Sequence, residues 1–167
     1  ATVAAATNGK PTYIRFGREK SPVFTTAETP FEIGKVSVFR EGKDATIIGC
    51  GMLVYYALQA AELLSKEGIE CAVFNCHTVK PIDEEAIVAA ARLTGAVVSV
   101  EEHQIHGGLG SAVAEVLAQQ APRPQEFVGV RDRFGQSGKP EELLQHYGLD
   151  VPAIVGAVKR VILRKKA

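Results

Sequence analysis

The sequence predicts a three-layer α/β domain with a mostly parallel sheet, carried by residues 36–167. Three observations lead there. Short β-rich runs alternate with stretches of helical periodicity, in the order β-β-α-β-α-β-α-β-α-α. Three consecutive strand–helix–strand units imply parallel pairing through right-handed crossovers. Two of the strands, Thr46–Ile48 and Val97–Val100, are continuously apolar, as expected when helices cover both faces of the sheet.

Ala1 to Asn8 is helix-prone and stops at Gly9. Thr12 to Phe16 is a β-rich run and is predicted as a strand. Gly17 to Gly34 is polar, contains Pro22 and Pro30 and has little periodicity. A structureless stretch of that length is unusual inside one domain, so a domain boundary is expected within it. Val36–Arg40 is a short strand, Gly42-Lys43 allows a reversal, and Asp44–Gly49 is an apolar strand. Met52–Lys66 places Val54, Ala57, Leu58, Ala61 and Leu64 on one helical face, and Gly68 ends it. Ile69–Asn75 is the next strand. Pro81-Ile82-Asp83 opens a helix with Asp83 as N-cap, burying Ala86, Ile87, Ala90 and Leu93 and ending at Gly95. Ala96–Val100 is a strand, Leu109–Gln120 a helix, Glu126–Val130 a strand, and Glu141–Tyr147 and Val151–Arg164 are closing helices.

Composition narrows the function. The 167 residues carry 19 Lys and Arg against 19 Asp and Glu. A dedicated nucleic-acid binder shows a basic excess, which is missing. No apolar run reaches the roughly 18 residues of a membrane-spanning helix. The three cysteines have no zinc-like spacing and read as reduced thiols of a cytoplasmic protein. Cys71 and Cys76, five residues apart on one strand, are expected on opposite faces. The chain has one Met, Met52, and does not begin with it, so residue 1 is expected not to be a native start.

Sheets of this kind bind ligands at the C-terminal ends of their strands, and four segments fall there. Gly49-Cys50-Gly51 is a partial dinucleotide fingerprint. Its third glycine position is Val54, and the next strand ends in Asn75-Cys76 without an acid, so a plain turn is the stronger reading. Lys80, after Cys76-His77-Thr78-Val79, is an anion ligand or a solvated charge. Glu101-Glu102-His103-Gln104-Ile105-His106-Gly107-Gly108-Leu109-Gly110 sets two carboxylates and two histidines beside glycines at a helix N-terminus. That arrangement suits an anion, acid–base work or an interface loop, and His103, Gly107, Gly108 and Gly110 are its candidate residues. Tight turns needing positive φ, at Gly108 among others, explain the glycines equally well. Arg131, Arg133 and Lys139 in the fourth segment meet phosphate or pair with acids across an interface. Upstream, Arg15 and Arg18 flank Phe16-Gly17 and suit bidentate phosphate recognition. No serine or cysteine has an evident base and orienting acid beside it, so no nucleophile triad is supported.

Taken together and in order, Tyr13-Ile14-Arg15-Phe16-Gly17-Arg18, Val79-Lys80-Pro81-Ile82-Asp83, Glu101-Glu102-His103 leading to Gly107-Gly108-Leu109-Gly110, and Ser137-Gly138-Lys139-Pro140 followed by Tyr147-Gly148 resemble the C-terminal portion of transketolases over almost the whole chain. The resemblance implies that residues 1–35 are the tail of the pyrimidine-binding domain and a linker, and residues 36–167 the C-terminal domain. It implies a five-stranded sheet whose first strand is antiparallel. It also implies ketol transfer between sugar phosphates in the pentose phosphate pathway, with thiamine diphosphate and Mg²⁺ or Ca²⁺ in the complete enzyme, and a dimer. The cofactor ligands belong to portions that resemble nothing in this sequence, so this chain is expected to bind no cofactor and to be inactive alone. Arg18 corresponds to the family arginine that grips the substrate phosphate, with Arg15 as support. No catalytic residue and no metal ligand is expected here. The remaining role is assembly with the N-terminal portion or subunit of the same enzyme. Deoxyxylulose-phosphate synthase, the beta subunit of a 2-oxo-acid dehydrogenase and a free-standing anion-binding module are the alternatives. Ser137-Gly138-Lys139-Pro140 argues against the first two.

Overall fold

A computed structural model describes residues 1–17 and 20–166. Its elements are α1 (Thr2–Thr7), β1 (Ser37–Arg40), β2 (Ala45–Gly49), α2 (Leu53–Lys66), β3 (Cys71–Asn75), α3 (Glu84–Thr94), β4 (Val97–Gln104), α4 (Leu109–Gln120), β5 (Gln125–Val130), α5 (Pro140–Tyr147) and α6 (Val151–Lys166). The five strands form one sheet in the order β1-β3-β2-β4-β5. β1 runs antiparallel to β3, and β2, β3, β4 and β5 are mutually parallel.

Local chemistry sets the boundaries. Asp83 caps α3: one carboxylate oxygen accepts the Ala86 N–H at 3.2 Å and the other the Val36 N–H at 3.0 Å. One side chain thereby starts a helix and ties down the entry to β1. Gly95 ends α3 at φ 69°, and its N–H donates to Ala91 O. The turn after Arg40 brings Gly42 onto the start of β3. A Cβ there would overlap Ala72 N and the carbonyl carbon of Cys71, so only glycine lets the backbones meet.

The alternation along the strands divides the core in two. Ala45 and Ile47 of β2, Val73 of β3, and Val98 and Val100 of β4 face α2 and α6, where Leu53, Ala57, Leu64, Ile154 and Val158 complete one cluster. Ile48, Phe74 and Val97 face α3 and α4, where Ile87, Ala91, Leu109 and Val113 complete the other. Helices thus cover both faces, as the continuous apolar strands require. Cys71 lies in the first cluster and Cys76 in the second, the expected opposite faces.

Three expectations are corrected. Leu93, expected on the buried face of α3, is 68% exposed, because that face runs through Ile87, Ala91 and Thr94. Thr12–Phe16 forms no strand: no neighbouring strand among the described residues pairs with it, and Tyr13 and Phe16 stand in solvent. A β-prone run without a partner leaves its ladder unmade. The strand expected to end at Val100 continues to Gln104. Charged residues at 101 and 102 suggested a loop; Glu101 instead turns inward, for the reason given next.

Candidate functional site

The sheet switches direction between β2 and β4. The chain leaves β2 for β3 on one side, and β4 lies on the other. Residues Gly49 to Gly51 and Glu101 to Gly110 border that point at the strands' C-terminal ends, where α/β sheets place ligands.

Along β4, Val97, Ser99 and Glu101 lie on the α4 face by the two-residue period of a strand. Glu101 is 1% exposed. Its Oε2 accepts the Leu109 N–H and its Oε1 the Gly110 N–H, both at 2.8 Å. Those are the donors that a helix N-terminus would offer a phosphate. The anion position at α4 is therefore filled by the chain's own carboxylate. Gly108 makes the arrangement possible, because a Cβ there would overlap Glu101 Oε2 and Gln104 O and sit 2.8 Å from Glu101 Cδ. Gly108 has φ −92°, so the positive φ expected of it is corrected: close approach, not handedness, excludes a side chain. Gly107, at φ 75°, holds the left-handed position instead. Its N–H donates to Ser111 Oγ at 2.9 Å, and that hydroxyl donates to Ile105 O at 2.8 Å. Gly110 lies against Ser99 and the Phe127 ring, and Gln125 Nε2 donates to Gly110 O at 3.0 Å and Ser99 Oγ at 3.1 Å. Sequence reasoning set carboxylates beside these glycines but did not see Glu101 buried on the helix end. The spacing Val97-x-Ser99-x-Glu101 held that signal.

His103 follows on the same strand, its Nδ1 3.8 Å from Glu101 Oε2. Burial pushes its pKa below the usual 6.5, Arg15 adds to this, and Glu102 and Glu101 oppose it. The ring is neutral at pH 7, so the contact with Glu101 is not an ion pair there. Arg15 thus acts on this end of the sheet from the N-terminal segment, and it also opposes the rise in the Cys50 pKa. Arg18 lies outside the described residues. His106 is exposed at the loop tip.

The fourth segment is exposed from Arg131 to Pro140, and Phe134 is 98% exposed. It is nonetheless fastened. Arg131 donates to Phe127 O at 3.0 Å, the Asp132 N–H to Gln104 Oε1 at 2.8 Å, and the Tyr147 hydroxyl to Phe134 O at 2.8 Å. Lys139 lies 4.0 Å from Glu142. The structure therefore ties Arg131 and Lys139 to their own chain rather than to one common anion site. Lys80 is exposed. Among the described residues no three His, Cys, Asp or Glu side chains converge as metal ligands. With Glu101 on the Leu109 and Gly110 N–H groups, the α4 terminus does not offer those donors to a diphosphate. No helix among them is long and apolar enough to cross a membrane.

Residues 34–154 match the family model described as transketolase, C-terminal domain. The chain belongs to that family. A 6-deoxy-6-sulfo-D-fructose transketolase subunit from a Clostridium species is 46% identical over 155 residues, which are 93% of this chain and 48% of that protein. A solved chain titled split gene transketolase, inactive beta4 tetramer, superposes with a TM-score of 0.87 at 47% identity, covering 89% of this chain and 49% of its own. The transketolase C-terminal domain described above thus spans about half the length of these relatives. Relatives are not confined to proteins named transketolase: a 1-deoxy-D-xylulose-5-phosphate synthase of Geobacter metallireducens is 42% identical over 129 residues, 76% of this chain and 21% of that enzyme. The five-stranded sheet with an antiparallel first strand agrees with the resemblance.

Proposed function

We propose that this chain is the C-terminal part of a transketolase, corresponding to about half of one subunit of a split enzyme, and that its own task is assembly with the rest of the enzyme. The superposition of 89% of this chain on 49% of a split gene transketolase chain carries this reading. The self-filled α4 terminus supports it, because one helix end at the crevice where such sheets take ligands is committed to internal structure. Thiamine diphosphate and its Mg²⁺ or Ca²⁺ are then held by the rest of the enzyme, and the complete enzyme works as a dimer on sugar phosphates. Arg18 grips the substrate phosphate, and Arg15 supports it from the same segment. Three buried thiols suit a cytoplasmic setting. The Ser137-Gly138-Lys139-Pro140 segment favours transketolase over the synthase, although relatives of both kinds share the domain.

Native mass spectrometry after co-expression with the remaining, upstream portion of a transketolase tests this. A heteromeric complex containing both chains is expected. Two populations that never share a complex would overturn the assembly role.

A further inference from the structure

Two of the three cysteines meet at the edge of the crevice. β2 and β3 pair in parallel with Gly49 opposite Asn75, and the Cys76 N–H donates to Gly49 O at 2.8 Å. Cys50 and Cys76, the next residues on each strand, are therefore neighbours across adjacent backbones. Such backbones run about 4.8 Å apart. Disulfides accept Cα separations of roughly 4.4–6.8 Å. Both side chains lie in the same core cluster, with Ile48 and Phe74, so both thiols point to the same face. Cys71 is in the opposite cluster, across the sheet, and is out of reach. Cys50 is 8% exposed at the strand end, whereas Cys76 is 1% exposed and donates to Thr78 O at 3.4 Å.

We propose that Cys50 and Cys76 are a latent dithiol that low-molecular-weight disulfides oxidise to an intramolecular bond in the folded protein. The Cys50 thiolate attacks one sulfur of the small disulfide, expelling one thiolate and leaving a mixed disulfide. The Cys76 thiolate then attacks Cys50 Sγ and expels the second. The protein loses two hydrogens and two electrons, and the oxidant becomes two thiols. The bond ties the turn that enters α2, which borders the crevice, to the neighbouring segment Cys76–Pro81 after β3. Burial, the largest cause, pushes both thiols up to about 12. Glu101, Cys76 and Glu102 raise Cys50 further and Arg15 opposes them; Asp83 raises Cys76. The thiolate is scarce at neutral pH, so the exchange is slow, and reduced thiols are the resting state.

The test incubates the reduced, folded chain for hours at pH 8 with excess oxidised glutathione. Free thiols are then alkylated in denaturant, and peptides are mapped without reductant. The expected product is a peptide containing Cys50 joined to one containing Cys76, with Cys71 alkylated. Cys71→Ser leaves the product intact, and Cys50→Ser and Cys76→Ser each abolish it. Alkylation of all three cysteines, a glutathione adduct that persists on Cys50, or any bond involving Cys71 would overturn the proposal.

Discussion

Replacing Glu101 by glutamine is expected to destabilise the domain by about 3 kcal/mol while keeping its shape. The carboxylate is buried and accepts two backbone N–H groups at 2.8 Å from the first turn of α4. A hydrogen bond to a charged group is worth roughly 1.5–3 kcal/mol, and an unpaired buried donor costs about 1–3 kcal/mol. Glutamine has one acceptor oxygen. Its amide N–H₂ must face the other backbone N–H, so one bond is lost and one donor is stranded. The helix dipole also loses its counter-charge, worth up to about 2 kcal/mol in partly buried sites. Relief from burying a charge offsets part of this. In a domain of this size 1 kcal/mol moves the melting temperature by about 2–4 °C, so a fall of roughly 6–12 °C is expected. Thermal unfolding followed by far-UV circular dichroism at pH 7 is the assay. A fall of less than about 2 °C would refute the reasoning. A cycle with Gly108→Ala adds a check: because a Cβ at 108 would overlap the Glu101 carboxylate, the alanine is expected to cost less in a Glu101→Ala background than in the wild type. Strict additivity would contradict the close approach.

Other perturbations follow from the same geometry. Gly42→Ala is expected to lower the melting temperature by several degrees, since its Cβ would overlap backbone at the start of β3, which cannot move as a side chain can; a wild-type melting curve would remove that argument. Burial holds both His77 and His103 below the usual 6.5. Each is more readily protonated in the unfolded chain, so stability is full above about pH 6.5 and falls as the pH drops through 6.5 toward the lower folded values. The His77→Asn/His103→Asn double variant is expected to flatten urea-unfolding free energy between pH 7 and 5, and an unchanged slope would argue against these two groups. Arg18→Ala is expected to leave the isolated chain folded and, in the assembled enzyme, chiefly to raise KM for phosphorylated acceptors. An equal effect on unphosphorylated acceptors would exclude it as a phosphate ligand.

Much of the fold was legible because its punctuation is local. Asp83, Gly68 and Gly95 mark helix ends by chemistry that needs no distant partner, and the apolar strands announced helices on both faces. Strand order was not legible: placing β1 beside β3 depends on Gly42 meeting the backbone of Cys71 and Ala72, a contact between distant parts of the fold. Thr12–Phe16 misled because β-propensity expresses itself only against a neighbouring strand. At the crevice, the glycines at 108 and 110 were visible as a helix start suited to an anion. That the anion is Glu101 was hidden by treating 101–106 as loop, although the alternation from Val97 continues through it. Arg15 could be placed near His103 only through the fold, since 88 positions separate them in sequence.

The central claim, that this chain is the C-terminal part of a transketolase, is tested most directly by an activity measurement on the separate and mixed parts. The purified chain is assayed for transfer of a two-carbon unit from a ketose phosphate to an aldose phosphate, with thiamine diphosphate and Mg²⁺, alone and with a chain supplying all of a transketolase that lies upstream of the region matched here. No turnover by the chain alone and turnover on mixing are predicted. Turnover by the chain alone would contradict the account, as would an inactive mixture in which the two parts fail to associate.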